Sequence, residues 1–175
     1  MTILIRWFAG VCLSFLVAVP MALAGEVSSA EVKTTIDTFT FKDPSMKERL
    51  KSAHAYAVFP TIGKGGLIVG GAGGDGQVFE RGRAIGTVEM SQVTIGLQAG
   101  VQEFSEIIFF QNKAALDRFT ADKFEFAANA SAIVAKSGAS SSSNYRNGVV
   151  VFTNAKEGVM LEAAIGGQKF KFHRK

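Results

Sequence analysis

Few side chains in this sequence could act as nucleophile, base or metal ligand, and they are scattered. The two histidines, His54 and His173, sit far apart along the chain. There is no G-x-S-x-G elbow, no H-E-x-x-H and no His–Cys cluster, so neither a hydrolytic triad nor a zinc site has parts to assemble from. Glu103 and Glu106 could form a carboxylate site with Asp117 or Asp122. Carboxylates so placed are more simply solvated or strand-edge groups. Gly71-Ala72-Gly73-Gly74-Asp75-Gly76 fits G-x-G-x-x-G and comes after the strand-like Leu67-Ile68-Val69. A dinucleotide loop needs a helix next, whose N-terminus holds the pyrophosphate. Gln77 to Gly86 stands there instead, with two more turn glycines and no helical face. A Walker loop is absent too, since Lys64 is succeeded by Gly65. The expectation is no enzyme, no cofactor and no metal.

The basic residues are the remaining chemistry. Lys169, Lys171 and His173 alternate with Phe170 and Phe172, which makes the last strand cationic on one face and aromatic on the other. Arg174 and Lys175 extend it. Arg81 and Arg83 flank Gly82 in a turn, and Lys64 lies in the first glycine turn. If these ends meet, they make a basic rim able to hold phosphates through charge-assisted bonds. Lysine and arginine on a strand edge also serve simply to block aggregation. Nucleic acid is not expected, because the charge is small and the aromatics are committed to the core.

The elements must position these groups. Residues 62–100 hold 12 of the 19 glycines. Glycine at that density is tolerated where backbones approach closely or bend sharply. Val93, Ile95, Leu97, Ala99 and Val101 occupy odd positions with strict period two, whereas Val88 and Met90 are even. The flip of phase predicts a bulge or bend near Ser91-Gln92. Ala55 to Pro60 and Glu106 to Gln111 read as buried strands. Three short strands are expected at the end, Gly148 to Thr153, Gly158 to Ile165 and Gln168 to His173. Asn154 to Glu157 and Gly166-Gly167 would be their hairpin turns. Lys123 to Val134 alternates as a further strand, and Ser137 to Asn144 reads as a polar loop.

Helices are expected over Glu26 to Ile36 and from Asp43-Pro44, with an extended link holding Phe39 and Phe41 between them. On the second, Met46, Leu50 and Ala53 fall at i, i+4 and i+7 with Lys47, Arg49 and Lys51 around them. Such a helix packs on a core with a solvated rim, or lies on an anionic membrane. Asn112 caps a third, short helix. The sum is α+β, a strongly bent antiparallel sheet or flattened β-barrel of seven or eight strands, with two N-terminal helices and one short mid-chain helix.

The chain opens with Arg6, then a nearly unbroken apolar run from Trp7 to Leu23. Ala22-Leu23-Ala24 ends it as a small-x-small site, so residues 1–24 read as a secretory signal peptide cleaved before Gly25. The runner-up is an uncleaved anchor. Cys12, the one cysteine, would leave with the leader. So would Arg6, leaving a single domain over 25–175 with 18 basic and 15 acidic residues, net +3. The expected destination is the periplasm or envelope.

The order of motifs resembles the SYLF domain. The resemblance is carried by AHAYAVFPTIGKGGLIVGGAGGDGQVF, AIGTVEMSQVTIGLQAGVQEFSEIIFFQN, ALDRF, KFEFAANASA and VVVFTNAKEGVMLEAAIGG, and it covers about Lys51 to Lys175. It implies a non-enzymatic domain that binds membrane lipid, phosphoinositide in eukaryotic members, and there also actin. Its link between lipid recognition and a basic amphipathic helix carries over onto Lys47, Arg49 and Lys51. For an exported bacterial chain the implied partner becomes anionic phospholipid, with actin kept only as a family analogy. The reading from another class is a structural or partner-binding envelope protein that uses an exposed sheet edge.

Overall fold

A computed structural model describes residues 27–66, 69–121, 125–126 and 145–175. The expected signal peptide, the polar loop and nearly all of the alternating run after Lys123 lie outside them. Among the described residues, three helices precede or interrupt five antiparallel strands. The α+β expectation stands.

Helix α1 (Ser29–Lys42) starts at a capping box. Ser28 accepts from the Glu31 amide at 3.2 Å, and the Glu31 carboxylate accepts from the Ser28 amide at 3.0 Å. The helix runs through Phe39 and Phe41, where an extended link was expected. Phe39 is buried one turn after Thr35 and two after Val32, so the apolar stripe continues at helical spacing. Helix α2 (Met46–Ser52) comes next, with Ser45 at its N-cap position and the Asp43 carboxylate accepting from the Ser45 amide at 2.9 Å. Helix α3 (Lys113–Thr120) begins at Asn112, whose side chain accepts from the Ala115 amide at 3.0 Å, as expected.

The strands are fewer and longer than the sequence suggested: β1 (Ala55–Gly66), β2 (Val69–Glu80), β3 (Arg83–Phe110), β4 (Glu125–Phe126) and β5 (Val149–Arg174). The three short closing strands are one continuous β5, and their expected turn residues lie within it. Glycine pairs such as Gly166-Gly167 let a strand bend sharply without ending it.

The register explains the shape. β1 and β2 form a hairpin, pairing from Ala55↔Glu80 to Gly66↔Gly70. The first half of β3 pairs with β2 as far as Val69↔Ile95. Its second half pairs with β1 from Gly66↔Gly100 onward. The two halves of β3 therefore flank opposite edges of the hairpin, and β3 folds back around its closed end between Ile95 and Gly100. β5 tracks β3 through that fold without a shift of register from Gly86↔Arg174 to Glu103↔Glu157. A two-stranded ribbon that bends without slipping must bend out of its plane. The sheet folds over on itself but is not closed into a barrel.

Two cores result. Even-numbered residues of β3 face inward between the two arms, with Ala55, Ala57 and Phe59 of β1 and, on β5, Val149 before the register shift and Phe170 after it. There Phe59, Val88, Met90, Ile108, Phe110 and Phe170 meet Leu116 and Phe119 of α3. Phe170 joins the arms, with ring centroids 5.8 Å from Phe59 and 5.0 Å from Phe119. On the outer side of the other arm, α1 and α2 cover Tyr56, Val58, Ile107, Phe109, Val150 and Phe152.

Ser91-Gln92 carries no bulge; pairing there is continuous on both sides. Register shifts occur instead between Val78 and Phe79, Phe59 and Ile62, and Glu103 and Phe104. With no bulge to rotate the chain, the change of apolar phase has a different consequence. Val88 and Met90 are buried, while Val93 is 65% and Val101 72% exposed. The apolar residues move from the inside of the fold to its outside.

Candidate functional site

The strand ends bring some of the basic residues together. Arg81 and Gly82 form the turn between β2 and β3, both with positive φ, 49° and 78°. That is the two-residue hairpin geometry whose twist suits flanking strands. The Arg81 amide donates to the His54 carbonyl at 3.1 Å, tying this turn to the residue two beyond α2. Arg83 opens β3, and Arg174 lies opposite Gly86, about 10 Å along the strand at ~3.3 Å per residue. The Lys175 amide donates to the Ile85 carbonyl at 3.0 Å. Arg81, Arg83, Arg174 and Lys175 are all exposed. Lys51, also exposed, sits at the end of α2 three residues before His54. These five form a basic rim at one end of the folded sheet.

The other candidates lie elsewhere. Arg49 is half-buried, its guanidinium 5.1 Å from the centroid of the Phe152 ring. Lys47 is exposed on α2, and Lys51 makes a 3.3 Å ion pair with Glu48. Lys64 is near the closed end of the β1–β2 hairpin, roughly 30 Å from the rim by strand length. Lys169 and Lys171 are exposed on the outer face of β5, and their alternation with the inward Phe170 is as the sequence suggested. Their surroundings are mixed in charge. Lys171 pairs in register with Glu89, whose carboxylate also meets the His173 imidazole at 3.0 Å. Asp75 lies across from Glu89 on the other side, and burial, then the Glu89 charge, pushes its carboxyl up.

The carboxylate set does not assemble. Glu103 is exposed, Asp117 bonds Lys113 within α3 at 2.6 Å, and Asp122 lies outside the described residues. Glu106, however, is 2% exposed inside the folded sheet. Gln168 donates to its Oε2 at 3.3 Å, and Oε1 has no hydrogen-bond partner. Burial pushes this carboxyl up to about 7, opposed only in part by the Gln168 bond. The signal was available: Glu106 shares its parity with Ile108 and Phe110, which face inward. His54 Nε2 and Glu80 Oε1 are 2.9 Å apart, a second imidazole–carboxylate contact.

Known proteins give the same assignment as the motifs. Residues 91–175 match the Ysc84 family, described as Las17-binding protein actin regulator. The chain is 27% identical over 145 residues to beta cell expansion factor A of Aeromonas veronii. The alignment covers 79% of this chain and 55% of that protein, so the chain spans about half the length of this relative. The K-E-G-V-x-L-E close falls inside the matched segment, and residues 91–175 are similar to the Ysc84 (SYLF) family.

Proposed function

We propose that this chain is a non-enzymatic lipid-binding protein of the bacterial envelope, engaging anionic phospholipid surfaces through basic residues. The observation that carries this reading is the rim of Lys51, Arg81, Arg83, Arg174 and Lys175, exposed at one end of the sheet. Each cation near an anionic leaflet contributes about 1 kcal/mol, and the sum is screened by salt. A leader at residues 1–24 would carry such a surface beyond the inner membrane, where actin is absent and anionic phospholipid is the available polyanion.

Co-sedimentation with vesicles tests it. All the described elements lie in residues 27–175, so the chain without residues 1–24 keeps every one of them. That chain should pellet with phosphatidylglycerol vesicles and be released as salt rises. Binding indifferent to both lipid charge and salt would overturn the electrostatic reading. The second reading, a partner docking on a sheet edge, draws on β5, which β4 pairs only at Lys169 and Gln168 among the described residues. Neutralising Arg81, Arg83 and Arg174 should weaken lipid binding and leave edge pairing at β5 unchanged.

A further inference from the structure

A cavity of about 380 Å³ beside helix α3 is lined by Asn112, Ala114, Arg118 and Asn147. Its volume is near the lower end of the range for small-ligand pockets, roughly 300–1,000 Å³. It lies at the same end of the sheet as the rim. Ala55, Phe110 and Val149 are partners in register on three adjacent strands, so Gly148 is about 10 Å from His54 across the sheet. The Gln111 amide donates to the Gly148 carbonyl at 2.8 Å, as the His54 amide does to the Phe110 carbonyl at 3.0 Å. Arg118 and Arg146, both exposed, therefore join the basic end, although spacing in the sequence singled out neither.

The lining is held in place and rich in donors. Arg146 and Val149 exchange backbone bonds of 2.9 and 3.0 Å around Asn147 and Gly148, whose φ values of 52° and 78° are those of a tight hairpin turn. The Asn147 carbonyl accepts from Arg118 Nη2 at 2.6 Å, which fixes the guanidinium and leaves the rest of its N–H fork for a ligand. Asn112 has spent its acceptors, Oδ1 on the Ala115 amide at 3.0 Å and the carbonyl on the Leu116 amide at 3.3 Å. The same two bonds use up amides of the first turn of α3, so the cavity does not depend on the helix end. What Asn112 still offers is its amide nitrogen, which lies beside the turn, 3.4 Å from where a Cβ on Gly148 would stand. The Asp117 carboxylate is held by Lys113 at both oxygens, 2.6 and 2.7 Å away. We propose that this cavity binds a phosphate ester, with the Arg118 fork on the phosphate oxygens and the Asn112 and Asn147 carboxamides donating beside it. No lining residue is acidic, and an arginine fork matches the oxygens of a phosphate as a lysine does not. All four lining residues are exposed, so an ester still attached to a lipid can enter.

The inference deepens the lipid-binding reading and rests on it only for the source of the phosphate, a headgroup or a free ester. The probe is glycerol phosphate, titrated at constant ionic strength into the chain without residues 1–24. The nuclear magnetic resonance signals of the Asn112 carboxamide and the Arg118 Nε–H should shift and saturate. Arg118→Lys keeps the charge but loses the fork, and should bind at least about tenfold more weakly. Asn112→Asp should keep the melting transition, since aspartate caps a helix as well as asparagine, and should lose binding to the added like charge. Arg146→Gln, outside the lining, should change affinity by no more than about threefold. Release of the chain from phosphatidylglycerol vesicles by saturating glycerol phosphate would assign the site to a lipid headgroup. Saturation without release would assign it to a free ester. Shifts that never saturate, or that persist equally in Arg118→Lys and Asn112→Asp, would overturn the site. A chain that pellets with vesicles yet shows no shift loses the site and keeps the rim. One that shows saturable shifts yet pellets with no vesicle keeps the site and loses the rim.

Discussion

At the scale of single residues, Glu106 has the sharpest consequence. Its carboxyl titrates near 7 in the fold against an ordinary 4.5. The folded state therefore holds this proton across a window where the unfolded chain has released it. Its contribution is fully present below about 4.5, falls as pH rises to about 7, and then stays lost. The span corresponds to roughly 3 kcal/mol. Glu106→Gln keeps the shape and the possibility of a bond to Gln168 but cannot ionise. Urea unfolding at about pH 5 and about pH 8 should show the wild type weaker at the higher value and the variant much less dependent on pH. Equal slopes for the two proteins would mean that Glu106 is ionised and accommodated in the fold.

At the scale of elements, the glycine-rich strands divide into positions where hydrogen is needed and positions where it is not. A Cβ on Gly74 would stand 2.4 Å from the Thr61 carbonyl oxygen, and one on Gly76 2.6 Å from that of Val58. Both contacts are with the β1 backbone where the two strands close on each other. At Gly71 and Gly73 the nearest atom is 3.5 Å away. Gly74→Ala should therefore cost more than about 2 kcal/mol, since the backbone must give way. Gly73→Ala should be neutral or stabilise by about 0.5 kcal/mol, by restricting the unfolded chain. Thermal melts of the two variants would separate them. The glycine density of residues 62–100 points to close backbone approach, but spacing alone cannot tell which glycine lies under a neighbouring carbonyl.

The same limit explains what else was legible. Residue type and period revealed the class, the helix cap at Asn112, and the alternation of Lys169, Phe170, Lys171 and Phe172. Strand ends were misread because Asn154 to Glu157 and Gly166-Gly167 have turn composition, yet sit in a ribbon whose continuity depends on pairing with β3. Phe41 shows the converse. It looked extended beside Phe39, but the capping box and helical stripe carry α1 past it and leave it 88% exposed. The apolar odd positions of β3 were visible as a pattern, but not the side they would face. Only the absence of a bulge at Ser91-Gln92 decides that.

At the scale of the whole molecule, the basic residues are divided between two ends of one folded sheet, with Lys64 roughly 30 Å from the rim judged by the length of β1 from Ala55. A membrane that meets the sheet at the rim alone leaves Lys64 beyond the reach of screened charge. Arg81→Gln, Arg83→Gln and Arg174→Gln together should remove about 3 kcal/mol of vesicle affinity at low salt and almost none at high salt, read from vesicle titrations at two ionic strengths. Lys64→Gln should leave the affinity unchanged at either salt. A loss from Lys64→Gln comparable to that from one rim arginine would mean that the sheet lies along the bilayer rather than stands on it, with the outer face of Asp75, Glu89 and Lys171 turned to the headgroups.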